Sequence, residues 1–101
     1  MKASFKPKKI LWMDLEMTGL DPVHDEILEV AAIATDWDFT EIATYEGVVR
    51  HEPAKLKRLL DRNASFWNEH LEARRGLEEQ NTSGKPLAEV ERDLLAFCDE
   101  H

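Results

Sequence analysis

Ile10-Leu11-Trp12-Met13-Asp14-Leu15-Glu16 is a short apolar run ending in carboxylates, and Thr18-Gly19-Leu20-Asp21-Pro22 follows it as a turn-rich sequel. Run length and sequel together predict a β-strand, covered on both faces, that stops at a turn. Residues 27–35, Ile-Leu-Glu-Val-Ala-Ala-Ile-Ala-Thr, read two ways, because the alanines also suit a helix. The strand reading is preferred, since Asp36-Trp37-Asp38-Phe39-Thr40 makes a hairpin-like break before Ile42 to Val49. There Thr44, Tyr45, Val48 and Val49 favour a further strand.

After Pro53 the texture changes. Ala54 to Leu60 reads as a short basic helix. Ser65 to Arg75 reads as another, with Phe66 or Trp67, His70, Leu71 and Arg74 at three-to-four spacing. Asn81 to Lys85 is a loop, and Pro86 suits the first turn of a last helix. In that helix Leu87, Val90, Leu94, Phe97 and Cys98 form one apolar stripe, while Glu89, Glu91, Arg92 and Asp93 face water. Three strands followed by helices predict an antiparallel meander with helices packed on it.

A chain of 101 residues is one domain at most, with a modest core. A hydrophobic content of 43 %, beside 34 % charged residues, 4 Gly and 4 Pro, excludes a disordered tail or a low-complexity linker. No apolar run approaches the ~18 residues that span a bilayer, and Met1 to Lys6 lacks the apolar stretch of a signal peptide. Cys98 is the single cysteine, which fits a reducing compartment. The expectation is a soluble cytoplasmic protein with no membrane partner.

The net charge of −8 is unevenly spread. Residues 1–9 carry four lysines and no acid, residues 10–49 carry ten acids and no Lys or Arg, and residues 50–75 hold seven bases against four acids. An acidic stretch is ordinarily a solvated face. The alternative is that some of its acids are held together by divalent cations, which lets a polyanionic substrate approach. Charge alone does not decide between the two.

Asp14 and Glu16 stand two residues apart on the first strand, so they project from one face. Their α-carbons are then about 6.6 Å apart. Two carboxylates at that separation can share one divalent ion or bracket two. Mg²⁺ and Mn²⁺ prefer hard oxygen ligands and retain water, so two carboxylates plus a substrate phosphate make a workable site. An Asp-x-Glu triplet by itself is a weak signal. Its context strengthens it, because burying acids after Ile-Leu-Trp-Met costs several kcal/mol without a counter-charge. A metal is the simplest remedy, and a Lys or Arg from elsewhere is the other.

Trp12-Met13-Asp14-Leu15-Glu16-Met17-Thr18-Gly19-Leu20-Asp21 closely resembles the first exonuclease motif of the oligoribonucleases, and Asp25-Glu26-Ile27-Leu28-Glu29-Val30-Ala31 resembles the same family's second strand. These are DEDD 3′-to-5′ exonucleases of the subgroup that uses a histidine base, with a ribonuclease H-like fold. The resemblance implies an α/β protein with an α+β-like order: a partial ribonuclease H-like fold in which a three-stranded antiparallel meander precedes helices and the later strands are missing. It implies two-metal hydrolysis of short single-stranded RNA, down to dinucleotides, to 5′-mononucleotides, with Mg²⁺ or Mn²⁺ as cofactor. Asp14 and Glu16 match the first two metal-binding, catalytic acids. Met17 and Thr18 match the stretch lining the terminal ribose, Leu20 matches the apolar wedge beside the bases, and Trp67 looks like its aromatic partner. Without the resemblance Trp67 reads as a core aromatic and Leu20 as an ordinary turn residue. His24, His51 and His70 read as surface or packing histidines, and Glu29 reads either as a further site acid or, in preference, as a structural hydrogen-bonding acid.

The resemblance runs to His101 yet spans only the N-terminal half, or slightly more, of a family member. The expectation is that residues 1–101 are a single incomplete exonuclease domain with two of four metal-binding acids and no base, inactive or crippled alone. The first strand should then present an unpaired apolar edge, and the chain should self-associate, as a homodimer or otherwise, or else be poorly stable. Other readings are a non-catalytic metal- or nucleotide-binding α+β module and a purely structural domain.

Overall fold

The computed structural model describes residues 8–101, so Lys2 and Lys6 of the N-terminal lysine group lie outside the described residues. Strands β1 (Ile10–Met17), β2 (Ile27–Thr35) and β3 (Glu41–Val48) precede helices α1 (Pro53–Arg62), α2 (Ala64–Trp67), α3 (Leu71–Gln80) and α4 (Leu87–Glu100). The strands form one antiparallel sheet in the order β1-β2-β3, the meander expected from the sequence and the mixed α/β arrangement of a partial ribonuclease H-like fold.

β2 is the centre of the sheet. Leu28, Val30, Ala32 and Ala34 are buried in strict alternation, which a helix could not produce. The alanines that made this segment ambiguous have a packing role: with Ala32 and Ala34 so small, Phe97 of α4 seats against the strand, with Tyr45 and Leu94 beside it. Val30 meets Val49 and Val90, and Leu28 meets Leu56, Leu60 and Trp67. α4 thus covers one face of the sheet through Val90, Leu94 and Phe97. Leu87 and Cys98, expected on the same stripe, are exposed.

The β2–β3 turn is built by Asp36, whose carboxylate accepts from the Asp38 and Thr40 N–H groups at 2.9 and 3.0 Å. Phe39 closes it at φ 64°, a left-handed conformation that favours glycine. Its ring lies 5.9 Å from that of Trp12.

Two expectations are corrected. β1 is not covered on both faces: every residue from Leu11 to Met17 is exposed, and its outer edge has no neighbouring strand among the described residues. The single helix expected over Ser65–Arg75 is broken at residues 68–70. There the backbone tightens into short-range bonds, Glu69 N–H to the Phe66 carbonyl and His70 N–H to the Trp67 carbonyl, and His70 Nδ1 also lies 2.9 Å from the Phe66 oxygen. The remaining helices match with small boundary changes. Glu52 caps α1, its carboxylate accepting from the Ala54 and Lys55 N–H groups, and the Pro86 carbonyl opens α4.

Asn81 fastens the helical half to the sheet. Its Oδ1 accepts from the His51 N–H at 2.8 Å and its Nδ2 donates to the His51 carbonyl at 2.9 Å, a side chain imitating a strand partner. Next to it, Gly84 lets the chain run against β3: a Cβ there would lie 2.9 Å from the Val48 carbonyl oxygen. Asn81→Ala leaves two backbone groups without partners in a buried position, so it should cost about 1–3 kcal/mol in urea-denaturation free energy. Asn81→Asp, which keeps one acceptor, should cost less.

Candidate active site

Asp14 faces Ala31 across the β1–β2 ladder and Glu16 faces Glu29, so all three carboxylates project from one side of the sheet. This is the side opposite the buried residues of β2. Asp14 and Glu16 are exposed, and among the described residues neither has a hydrogen-bond or ion-pair partner. Burial therefore does not demand a counter-ion here, contrary to the expectation from the apolar run. The absence of Lys and Arg from residues 10–49 leaves this face negative.

Beyond Glu16 the register slips by one residue, a bulge that turns the chain out of the sheet. The exit is fixed by Thr18, which is 0 % exposed. Its N–H donates to the Glu26 carbonyl at 2.9 Å. Its hydroxyl donates to Asp25 Oδ1 at 2.8 Å and accepts from the Glu26 N–H at 3.0 Å. Its carbonyl accepts from the Trp67 indole N–H at 2.9 Å. Asn63 joins from the end of α1, donating to Asp25 Oδ1 at 2.9 Å and to the Leu59 carbonyl at 3.2 Å. A Cβ at Gly19 would lie 2.5 Å from both Asp25 Oδ2 and Asn63 Nδ2, so this closeness requires glycine.

Two acids of the turn are tuned by these contacts. Burial pushes the Asp25 carboxyl up, but the Asp21 N–H, the Thr18 hydroxyl, the Asn63 amide and the charge of Arg62 outweigh it and hold the group below its usual range. Asp21 is held lower still by His24, by the Val23 N–H and by Arg62.

Around this exit lie two adjoining clefts. One, of about 350 Å³, runs between the end of β1 and α2, with Glu16, Met17, Leu20, Phe66 and Trp67 on its walls. The other, of about 420 Å³, lies between Glu16 and Glu29 on one side and Phe66, His70 and Leu77 on the other. Glu16 borders both; Asp14 borders neither. Leu20 is 89 % exposed, as a wedge would be. Trp67 is 3 % exposed and packed with Leu28, Leu56 and Leu60, so little of its ring meets solvent.

The open aromatic surface belongs to Phe66, 52 % exposed, edge-on to Trp67 and stacked on His70 with centroids 4.3 Å apart. Sequence periodicity left Phe66 and Trp67 interchangeable, and a helix of four residues has too few turns to separate them. Asp25 and Asn63 were not singled out, and Glu29, for which the hydrogen-bonding role was preferred, lines the second cleft beside Glu16. Glu29 carries a signal in retrospect, an acid at an odd position of a strand whose even positions are all apolar. His24 and His51 are local: His24 pairs with Asp21, and His51 Nε2 lies 2.9 Å from the Ile27 carbonyl.

A family profile described as Exonuclease matches residues 11–80, which include the carboxylates, the Thr18 turn and Trp67. The chain belongs to the exonuclease family. It is 36 % identical over 95 residues to an oligoribonuclease of Pseudomonas aeruginosa, an alignment covering 93 % of this chain and 51 % of that protein. Similarity to the oligoribonuclease of Bordetella pertussis is 38 % over 94 residues, covering 92 % and 50 %. For that of Nitrosomonas europaea it is 37 % over 93 residues, covering 91 % and 49 %. The chain thus spans about half the length of the curated relatives it matches.

Members of this family generally use divalent metals. The donors on this exonuclease chain suit such an ion in kind: solvent-facing carboxylate oxygens with no cationic side chain bonded to them among the described residues. They do not suffice alone, because among the described residues no three His, Cys, Asp or Glu side chains converge closely enough to hold a metal. Water and a phosphate oxygen complete such a shell for a hard cation.

The Thr18 knot sets an acid limit on stability. A lowered Asp25 pKa contributes stability that is fully present above the ordinary carboxylate value of about 3.9 and is lost as pH falls through the folded-state value. Urea midpoints of the native chain and Asp25→Asn should therefore differ at pH 7, and the difference should shrink as pH falls below the ordinary carboxylate value of about 3.9. Thr18→Val should cost about 1–3 kcal/mol at pH 7, because the Glu26 N–H and Asp25 lose a buried partner.

Proposed function

We propose that this chain contributes the first half of a 3′-to-5′ exoribonuclease site that degrades short single-stranded RNA to 5′-mononucleotides. The observation that carries this is the placement of Asp14 and Glu16 on one face at the end of β1, with Glu16 opening onto a cleft flanked by Leu20 and Phe66. Family membership supports the reaction class, and the relatives' name, oligoribonuclease, supports the substrate class.

In this reading Asp14 and Glu16 supply oxygen ligands to Mg²⁺ or Mn²⁺. A pair of such ions would supply an activated water and neutralise charge on the leaving 3′ oxygen. The bulge and the Thr18 knot fix the backbone of Met17 to Gly19 where the terminal ribose would lie. Leu20 enters between bases, and Phe66, backed by Trp67 and His70, offers a stacking surface worth about 1–3 kcal/mol per base whatever the base. That indifference suits an enzyme that clears mixed short RNAs.

Residues 1–101 are proposed as one incomplete exonuclease domain, working in the cytoplasm and associating through the edge of β1. In this reading the general base is not among the residues assigned here, and working without one slows such a site by ~10²–10⁴, so binding is expected to be easier to detect than cleavage.

Calorimetric titration with Mn²⁺ should show binding that Asp14→Asn weakens at least about tenfold, in line with the loss of a charged ligand. Unchanged affinity in the variant would remove Asp14 from the site. Incubation with a labelled diribonucleotide and Mn²⁺ separates slow cleavage from binding alone, the latter favouring a metal- or nucleotide-binding module.

The two aromatics should part company on substitution. Phe66→Ala should lower diribonucleotide affinity by about 1–3 kcal/mol with little change in melting. Trp67→Ala should instead lose about 3–5 kcal/mol of folding stability. Equal loss of binding in a folded Trp67→Phe variant would return the stacking role to Trp67.

A further inference from the structure

We propose that Asp25 is the positioning residue of the cleft between β1 and α2: its carboxylate ties the wall that carries Leu20 to the wall that carries Phe66, and so sets the gap that holds a base. This deepens the functional reading above and rests on it.

The two oxygens of Asp25 accept three hydrogen bonds, and these divide between the walls. On the β1 side, Oδ1 accepts from the Thr18 hydroxyl at 2.8 Å and Oδ2 accepts from the Asp21 N–H at 3.0 Å. Leu20 stands between those two donors in sequence, so one carboxylate holds both flanks of an exposed apolar side chain. On the helical side, Oδ1 accepts from Asn63 Nδ2 at 2.9 Å.

Asn63 in turn carries α2. Its carbonyl accepts from the Phe66 and Trp67 N–H groups, both at 3.1 Å. Its side chain stands at the N-cap of α2 yet makes no capping bond, although asparagine ordinarily caps well there. The amide is given instead to Asp25 and to the Leu59 carbonyl. A helix of four residues has little stability of its own, so the place of Phe66 is decided by what holds Asn63 and Trp67. The Trp67 indole is held by the Thr18 carbonyl, and the Thr18 hydroxyl is bonded to Asp25. Both holds on α2 therefore lead to one carboxylate.

The other links from this turn are weaker and lead elsewhere. Lys55 bonds Glu26 and Arg62 bonds Asp21, but both reach α1 and both pairs are open to solvent, where such pairs add little. The bonds to Asp25 are part-buried and charge-assisted, a class roughly twice as strong as bonds between neutral groups.

Asp25→Asn keeps the shape of the side chain but turns one acceptor into an NH₂ group, so at least one of the donors loses its partner. Hydrogen exchange followed by NMR then reads each variant at the wall it does not touch: Asp25→Asn at the Trp67 indole N–H, and Asn63→Ala at the Asp21 N–H. Each should speed up about tenfold more than the His51 N–H, which Asn81 holds away from the cleft. Native protection at the far wall would show that the walls are independent, and acceleration no greater than at His51 would show a loss of global stability alone. Either result would overturn the proposal.

Affinity for a labelled diribonucleotide with Mn²⁺ is the second readout. Asp25→Asn should weaken it about tenfold, the size of one lost stacking contact. Combined with Phe66→Ala it should bind no worse than Phe66→Ala alone, because one contact cannot be lost twice. Additive losses, or an equal loss in Asn81→Ala, would remove the positioning role. A native chain that binds no diribonucleotide would sink the functional reading instead, and the exchange rates alone would then decide whether Asp25 joins the walls.

Discussion

The hydrogen bond from the Trp67 indole to the Thr18 carbonyl joins the two halves of the chain where both are buried. Forty-nine residues separate donor and acceptor, so forming it closes most of the fold. From the sheet side it fixes where β1 ends; from the helical side it fixes α2. An unpaired carbonyl or indole N–H at that depth costs about as much as a tenth to a third of a small domain's stability. The arrangement is over-determined by design of the sequence around it: Asp25, Asn63 and the hydrogen at Gly19 all occupy the space beside the same turn.

Holding and touching are divided between neighbours in sequence. Thr18 holds while Met17 and Leu20, on either side of it, reach solvent. Trp67 holds while Phe66, one residue earlier, presents its ring. This pairing of a buried anchor with an exposed neighbour follows from how the chain leaves regular structure. After a bulge, and in a helical turn where neighbours differ by about 100°, adjacent residues point in different directions. A surface built this way is rigid under its exposed groups, because each sits one bond from an atom that is packed and hydrogen-bonded.

Much of this was legible in the residues. Three strands before helices, the face shared by Asp14 and Glu16, and the stop at Thr18-Gly19 all follow from local periodicity and turn chemistry. What was not legible depends on contacts distant in sequence. The alanines of β2 are ambiguous until Phe97 and Tyr45 are set against them. Beside the break at residues 68–70 the Trp67 indole bonds the Thr18 carbonyl and the His70 ring meets the Phe66 carbonyl, contacts that a helical spacing does not reveal. The cover over β1 was misjudged because apolar composition reports what a strand can bury, and not what lies beside it.

The basic segment that follows the strands was an apparent counterweight to their acids, but its charges are spent selectively. Lys55 bonds Glu26 and Arg62 bonds Asp21, both on the β1–β2 turn, and Arg74 bonds Asp61 and Glu78 among the helices. Exposed pairs of this kind add little stability. Their effect is on where charge remains: the turn that shapes the cleft is neutralised, and the face bearing Asp14, Glu16 and Glu29 is not. Three carboxylates on one side of the sheet, with no cationic partner among the described residues, repel one another and attract any cation that can reach them. A divalent ion answers that field more strongly than any single ammonium or guanidinium group, because the attraction grows with its charge.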